Sequence, residues 1–168
     1  MAATVQGLFV AADTTPETRA VYFVRVPTPA GEDATDNMVT DFEVARWPSS
    51  IGLVSLTLLP GTYRGFIGST AAGSSYFSFD LDQTTGTLNF IDLLTNGSSV
   101  PAGLVCYFAS LAAAKAYTRF VNDRVYYVAS ITGFISGDFH YNSTSTATAD
   151  DSDTIALTSV AGRLIRNA

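Results

Sequence analysis

Apolar and aromatic residues recur in short runs through the first 97 residues, and clusters of Gly, Pro, Asp and Thr separate the runs. Short apolar runs between turn signals are typical of β-strands, and many in succession are typical of a sandwich or a barrel. The sequence therefore predicts a mainly β protein whose residues 1–97 form an antiparallel β-sandwich. The predicted strands are Val5–Ala11, Ala20–Val26, Phe42–Trp47, Gly52–Leu59, Tyr63–Ile67, Tyr76–Leu81 and Thr87–Ile91.

Two of these runs also predict which side chains are buried, because successive side chains of a strand point to opposite faces. Between two strands, the sequence Leu59-Pro60-Gly61 predicts a tight corner in which Gly61 supplies a positive φ. The stretch Pro27–Asp41, with four acidic residues, is predicted to be an exposed loop. The apolar residues expected to share a core face are Val54, Leu56 and Leu58 in one run, and Phe77, Phe79 and Leu81 in the other.

Residues 98–168 are predicted to form a linker, one helix and a small β-module. Asn96–Gly103 has the composition of a linker. Alanine-rich Leu104–Asn122 then predicts the one helix, since alanine is the strongest helix former. Spacings of three and four residues predict an apolar stripe along this helix, too short for a long coiled coil. The stripe consists of Tyr107, Leu111, Ala114, Thr118 and Val121.

The last third of the chain alternates strands with turns. Val125–Ser130 is predicted to be an apolar strand, and Asp138–Tyr141 an aromatic strand after a Gly-containing turn. The acidic turn Asp150–Asp153 comes before a third strand, Thr154–Leu157. We expect Gly162–Arg166 to pair with that third strand and to bring an arginine towards the acidic turn.

Alternation within this closing segment predicts two faces. Arg163 and Ile165 should lie on one face, with Leu164 and Arg166 on the other. An exposed ion pair contributes less than about 1 kcal/mol, so the register of the segment should come from its apolar face and its backbone hydrogen bonds.

This order of parts resembles the small module found near the N-termini of bacteriophage tail fibre and tailspike proteins. In that family a strand and a Gly-rich turn lead to F-Y-Y/W-D, a Ser/Thr/Ala stretch, D-D-G-x-x-I and G-R-W-I-R. Here His140 occupies an aromatic position, Ser152-Asp153 replaces Asp-Gly, and Leu164 replaces Trp. The corner Leu59–Tyr63 is similar to that of prealbumin-like and immunoglobulin-like sandwiches, including those at the front of phage fibre proteins.

The resemblance implies a non-enzymatic structural protein of a tailed phage virion, assembled in the host cytoplasm. Its expected role is that of an anchor or adaptor, which docks on the tail or baseplate at one end and on a partner fibre at the other. The resemblance also implies self-association, with a homotrimer favoured. Two alternatives remain open, a capsid decoration protein and a carbohydrate-binding module that recognises the host surface.

Composition and charge narrow the classes of partner. A hydrophobic fraction of 47% with 14% charged residues excludes a disordered chain. The net charge of −6 argues against nucleic acid, because phosphate binding depends on clustered Lys and Arg. No apolar run approaches the roughly 20 residues of a membrane helix, and the N-terminus lacks the basic start of a signal peptide. We therefore expect a chain that is made and used without secretion and has no membrane partner.

The sequence offers little for catalysis or metal binding. His140 is the single histidine, and Cys106, the single cysteine, is expected to be a small buried hydrophobe. No nucleophile elbow, phosphate loop or zinc-protease motif is present. Asp150, Asp151 and Asp153 could bind Ca²⁺, but a solvated acidic turn is the favoured interpretation. We expect no catalytic residue, no metal and no cofactor.

Five aromatic residues of the last third could stack on sugar rings or form the core of a small module, and the sequence favours the core. They are Tyr126, Tyr127, Phe134, Phe139 and Tyr141. So many apolar side chains in a small module also predict an interface with partners. The interface candidates are Tyr107, Leu111, Ala114, Thr118, Val121, Tyr127, Phe134, Phe139, Tyr141, Arg163 and Ile165.

Overall fold

The computed structural model describes residues 2–11, 14–26, 43–95, 103–129 and 136–167. It divides the chain into two compact units, Met1–Leu104 and Val105–Ala168. Strands hold 46% of the described residues and helices 7%, which confirms the predicted mainly β class. The predictions for Pro27–Asp41, for most of the linker and for Phe134 fall outside the described residues.

Each of the seven runs predicted in the first unit overlaps a strand. Burial alternates along β4 and β6, so one face of each enters a core while the other is more exposed, whereas β1 is buried on both faces. The elements are β1 Ala3–Phe9, β2 Val21–Arg25, β3 Glu43–Arg46, β4 Leu53–Leu58, β5 Gly61–Ile67, β6 Tyr76–Leu81, β7 Thr87–Asn89 and the short helix α1 Phe90–Leu93.

Two groups of strands enclose the core of the first unit. The strands β3, β2, β5 and β6 form an antiparallel sheet in that order, while β1 pairs antiparallel with β4 and parallel with β7. Buried residues from both groups form one hydrophobic cluster, as in a sandwich. The predicted core faces are confirmed, since Val54, Leu56 and Leu58 are buried, as are Phe77, Phe79 and Leu81.

Phe90 lies at the centre of this core. It is the first residue of α1 and is fully buried. Its ring stacks on Phe23 with 5.1 Å between centroids, and it meets Phe79 edge-on at 5.3 Å. Full burial of one such side chain stabilises the folded state by about 1.5–3 kcal/mol, so this aromatic group accounts for much of the cohesion of the sandwich.

The corner between β4 and β5 has the geometry that its sequence predicts. Gly61 adopts a φ of 156°, a positive value. The Tyr63 hydroxyl donates a hydrogen bond of 2.7 Å to the carbonyl of Leu59, and Arg25 donates one of 2.9 Å to the carbonyl of Pro60. Burial raises the pKa of Tyr63, so its hydroxyl remains a donor at neutral pH.

The second unit contains five strands and one short helix among its described residues. Its sheet order is β11, β12, β10, β9 and β8, in which β8 and β9 run parallel and the other neighbours run antiparallel. Parallel strands require a crossover connection, and here the helix and the residues after it supply that connection. The elements are β8 Leu104–Phe108, α2 Leu111–Ala116, β9 Val125–Val128, β10 Gly137–Asn142, β11 Thr154–Ala156 and β12 Arg163–Arg166.

The prediction of a helix over Leu104–Asn122 was wrong at both ends. Leu104–Phe108 is a strand in which every second residue is buried. The helix begins only after Ser110, whose hydroxyl accepts a hydrogen bond of 3.0 Å from the Ala113 amide, and it ends at Tyr117, which is extended. The predicted apolar stripe therefore does not exist as a helix face. Tyr107 lies on β8, Leu111 and Ala114 lie on α2, and Thr118 and Val121 follow the helix.

Gly65 of β5 provides a test of the aromatic core. A Cβ atom at this position would overlap the ring of Phe77. Because Phe77 is buried among other rings, Gly65→Ala should lower the free energy of unfolding by about 1–3 kcal/mol in chemical denaturation. Gly7→Ala is the matched control, since its Cβ would lie 3.1 Å from the nearest side-chain atoms, and it should cost less. Equal losses for the two variants would contradict this account.

Glu17 provides a test by pH. The carboxylate is buried and accepts hydrogen bonds from Arg19 and from the Thr18 amide, which lower its pKa from 4.5 to about 2. Its stabilising contribution should be fully present above about pH 4.5 and should be lost as the pH falls through about 2. Glu17→Gln should flatten the pH dependence of unfolding between pH 5 and 2, whereas exposed Asp82→Asn should not. Parallel pH profiles for the wild type and Glu17→Gln would contradict the assignment.

Candidate interaction surface

The sheet of the second unit has one buried face. Strand alternation places the buried residues of all five strands on it, and the registers set Cys106 opposite Tyr126, Phe139 opposite Tyr126, and Leu164 opposite both Tyr141 and Ile155. Cys106 is fully buried there, which confirms that it is a small core residue. The face consists of Cys106, Phe108, Tyr126, Val128, Phe139, Tyr141, Ile155 and Leu164.

Aromatic side chains that follow α2 cover this buried face. Phe120 stacks on Tyr141 with 5.0 Å between centroids and meets Tyr126 edge-on at the same separation. Tyr117 meets Phe108 edge-on at 5.1 Å. The prediction that the aromatic residues form a core is therefore confirmed for Tyr126, Phe139 and Tyr141 among the described residues. Their rings are too buried to stack on a sugar.

The opposite face of the same sheet is half-buried or exposed, and we call it the open face. Alternation assigns eleven residues to it, two or three from each of the five strands. They are Val105, Tyr107, Val125, Tyr127, Asp138, His140, Asn142, Thr154, Ala156, Arg163 and Ile165.

One end of the open face is aromatic and acidic. Tyr107 lies opposite Tyr127, and their rings stack with 5.9 Å between centroids and 12° between planes. On the other side of Tyr127 lies Asp138. Burial raises the pKa of the Tyr107 hydroxyl, and partial desolvation raises the pKa of the Asp138 carboxyl.

The centre of the open face is largely apolar, and its far end is basic. His140 lies between Val125 and Ile165, and one of its ring nitrogens is 2.8 Å from the side-chain oxygen of Asn167. At the far end Arg163 lies opposite Asn142. The Arg163 guanidinium donates hydrogen bonds to the backbone carbonyls of Ala147 and Gly162. The surface thus runs from an aromatic and acidic end to a basic end.

The carboxylates of the acidic turn, Asp150–Asp153, make contacts within the second unit. One carboxylate oxygen of Asp150 accepts hydrogen bonds of 2.9 Å from the amides of Ser152, Asp153 and Thr154, which lower its pKa to about 2. Asp151 forms an ion pair of 2.7 Å with Lys115. Within the described ranges, no group of three or more His, Cys, Asp or Glu residues could hold a metal ion.

The closing segment pairs as the sequence predicts. Strand β12 lies antiparallel to β11, with Leu164 opposite Ile155 and Ile165 opposite Thr154. Arg166 forms an ion pair of 2.9 Å with Asp153, and its guanidinium carbon lies 4.8 Å from the Phe139 ring centroid. Leu164 and Arg166 therefore face the core side, while Arg163 and Ile165 face the open side. Both predicted faces of this segment are confirmed.

The structure separates the interface candidates into three groups. Tyr107, Tyr127, Arg163 and Ile165 meet on the open face. Ala114, Phe139 and Tyr141 are buried in the core and offer no surface, while Leu111, Thr118 and Val121 lie in or after α2 and not on a strand of the open face. Sequence reasoning missed Val125, Asp138 and His140. The alternation of β9 and β10 was the available signal for all three.

Comparison of the chain with protein-family models, with curated proteins and with solved structures finds no match. In the part of the chain that the structure describes, no helix is both long enough and apolar enough to cross a membrane. The features that bear on function are the residues of the second unit and the resemblance of their order to the phage module.

Gly162 allows the turn before β12 to approach β10 closely. Its φ is 91°, and a Cβ would lie 2.7 Å from the Ser143 Cα and overlap the carbonyl of Asn142. Gly162→Ala should therefore destabilise the second unit by more than about 1 kcal/mol in thermal unfolding. Gly73→Ala is the matched control, because Gly73 has a similar φ of 86° but no atom within 4 Å of the added Cβ. Equal losses at the two positions would exclude close approach as the cause.

Proposed function

We propose that this chain is a non-enzymatic structural protein of a tailed bacteriophage virion. Its role is that of a tail fibre or tailspike type anchor or adaptor, which docks on the tail or baseplate and carries a partner fibre. The observation that carries the proposal is the open face, on which Tyr107, Tyr127 and Ile165 lie together. The residues that resemble the phage pattern stabilise the fold of the module that presents this face.

The motif residues have physical tasks that fit the proposal. Gly162 permits close backbone approach, and Leu164, at the Trp position of the family pattern, is fully buried. Arg166 reaches Asp153, and Asp150 closes the acidic turn. Each task is structural, so the departures Leu164 and Ser152-Asp153 are compatible with the same module.

The geometry favours contact with another macromolecule over chemistry. The Asp150 and Asp151 carboxylates are engaged by amides and by Lys115. His140 lies on a broad sheet face with Asn167 as its side-chain partner. Rings that are half-exposed on a sheet face are typical of interface anchors, since Tyr and Trp are enriched where binding energy is concentrated.

Self-association and placement in the virion are parts of the same proposal, with a trimer favoured by the resemblance. A capsid decoration protein is one alternative, and it would lie on the capsid shell and not at the tail. A carbohydrate-binding module is the other alternative. Of the described aromatic residues that the sequence offers for sugar stacking, Tyr127 is the one that lies on the open face.

Purified particles provide the test. The chain should be located at the tail by cryo-electron microscopy, and Tyr107→Ser with Tyr127→Ser should reduce its retention on particles on the order of tenfold. Retention is measured by quantitative mass spectrometry, after circular dichroism has shown that the variant folds. Tyr76→Ser, at an exposed tyrosine of the first unit, is the control.

Three results would contradict the proposal. These are absence of the chain from particles, distribution over the capsid shell, and unchanged retention of the double variant. The second result would instead support the decoration protein. Saturable binding of the purified chain to host glycans, lost in the double variant, would support the carbohydrate-binding module.

A further inference from the structure

Two opposite charges on the open face have no ionic partner within the described part of the chain. The carboxylate of Asp138 accepts no hydrogen bond and forms no ion pair there. Arg163 donates only to the carbonyls of Ala147 and Gly162, so its charge is not neutralised by a carboxylate.

The two charges do not pair within one chain. Asp138 and Asn142 are four residues apart on β10, a distance of about 14 Å along a strand. Arg163 lies opposite Asn142 on the neighbouring strand. The guanidinium is also held at its own end of the face by its two backbone acceptors.

We propose that a second copy of this chain docks on the open face, with Asp138 of one copy against Arg163 of the other. The inference deepens the proposed function, because it rests on the self-association that the function includes. The two ends of the face are complementary in charge, and the central residues Val125, His140 and Ile165 meet their counterparts. A two-fold axis pairs the ends reciprocally, and a three-fold axis pairs them in succession around a ring.

The surroundings of Asp138 suit a guanidinium. A carboxylate can accept two parallel hydrogen bonds from arginine, which gives both orientation and energy. The ring of Tyr127, on the neighbouring strand beside Asp138, adds an aromatic surface on which a guanidinium can stack. Partial desolvation of Asp138, which raises its pKa, is unfavourable in the isolated chain, and a cation from a second copy would offset it.

The size of the open face sets the expected strength of self-association. Five strands at about 4.8 Å spacing span roughly 19 Å, and the residues that alternate on β10 span about 14 Å. That area is smaller than the roughly 800 Å² per partner of a standard interface. Association through this face should therefore be weak, concentration-dependent and sensitive to salt.

Charge reversal provides the test. The full chain is studied by sedimentation velocity over a range of concentrations, at low salt and at about 0.5 M salt. D138R and R163D, each alone, should weaken self-association by on the order of tenfold or more. The double variant D138R/R163D should regain the wild-type behaviour in either symmetry, and an equimolar mixture of the two single variants should form the pair that a two-fold axis predicts. D82R and R46D are the controls, since they change the net charge equally at exposed positions of the first unit.

The outcomes separate this inference from the proposed function. Association of two or three copies, lost in each single variant and restored in the double variant, supports the pairing. A wild-type chain that stays monomeric at all concentrations overturns it, as does failure of the double variant to associate. Binding of the wild-type chain to a cationic virion protein, without self-association, assigns the face to that partner and also overturns the pairing. In each of these cases, detection of the chain at the tail would leave the proposed function standing.

Discussion

The second unit depends on the burial of every second residue along its strands. Leu164 shows why, because β12 lies between β10 and β11, and Leu164 is opposite both Tyr141 and Ile155 in the core. A shift of one residue would move Arg163 and Ile165 into that core and expose Leu164. The energy of burying these side chains therefore fixes the register. The register in turn decides which residues form the open face, so the candidate interface follows from the packing of the opposite side.

The charged groups of the module follow this register and do not set it. The ion pair between Arg166 and Asp153 includes a largely exposed carboxylate, and such pairs contribute less than about 1 kcal/mol. Burial of one large apolar side chain contributes about 1.5–3 kcal/mol. Asp150 has a different task, since its hydrogen bonds to three amides shape the turn that delivers the chain into β11. Apolar packing selects the register, and the polar contacts then satisfy hydrogen-bonding groups at the ends of the strands.

Much of this fold could be predicted from a period of two residues, and the main error came where the sequence shows no such period. The core face of β4, the corner at Gly61 and the pairing of β12 with β11 all follow from local alternation and turn chemistry. Leu104–Phe108 is buried at every second position, but all five of its residues are apolar, and the alanines that follow suggested one long helix. Helix propensities differ by less than about 1 kcal/mol per residue, which is less than the burial of Phe108 contributes. Asp138 and His140 could not be assigned to the interface with Tyr107, because that neighbourhood depends on pairings between strands that are distant in sequence.

The two faces of the sheet have different roles, and the phage resemblance concerns residues that stabilise the fold. The motif positions Asp150, Gly162, Leu164 and Arg166 all act in the turn, at the close approach or on the core side. A sequence whose residues make the same contacts at these positions can form the same module, whichever residues lie on its open face. Residues such as Tyr127 and Asp138 can be replaced without disturbing the core, so they are where one module can differ from another in its partner. The motif residues therefore indicate the kind of scaffold, while the aromatic, acidic and basic order of the open face is the basis of the proposed partner.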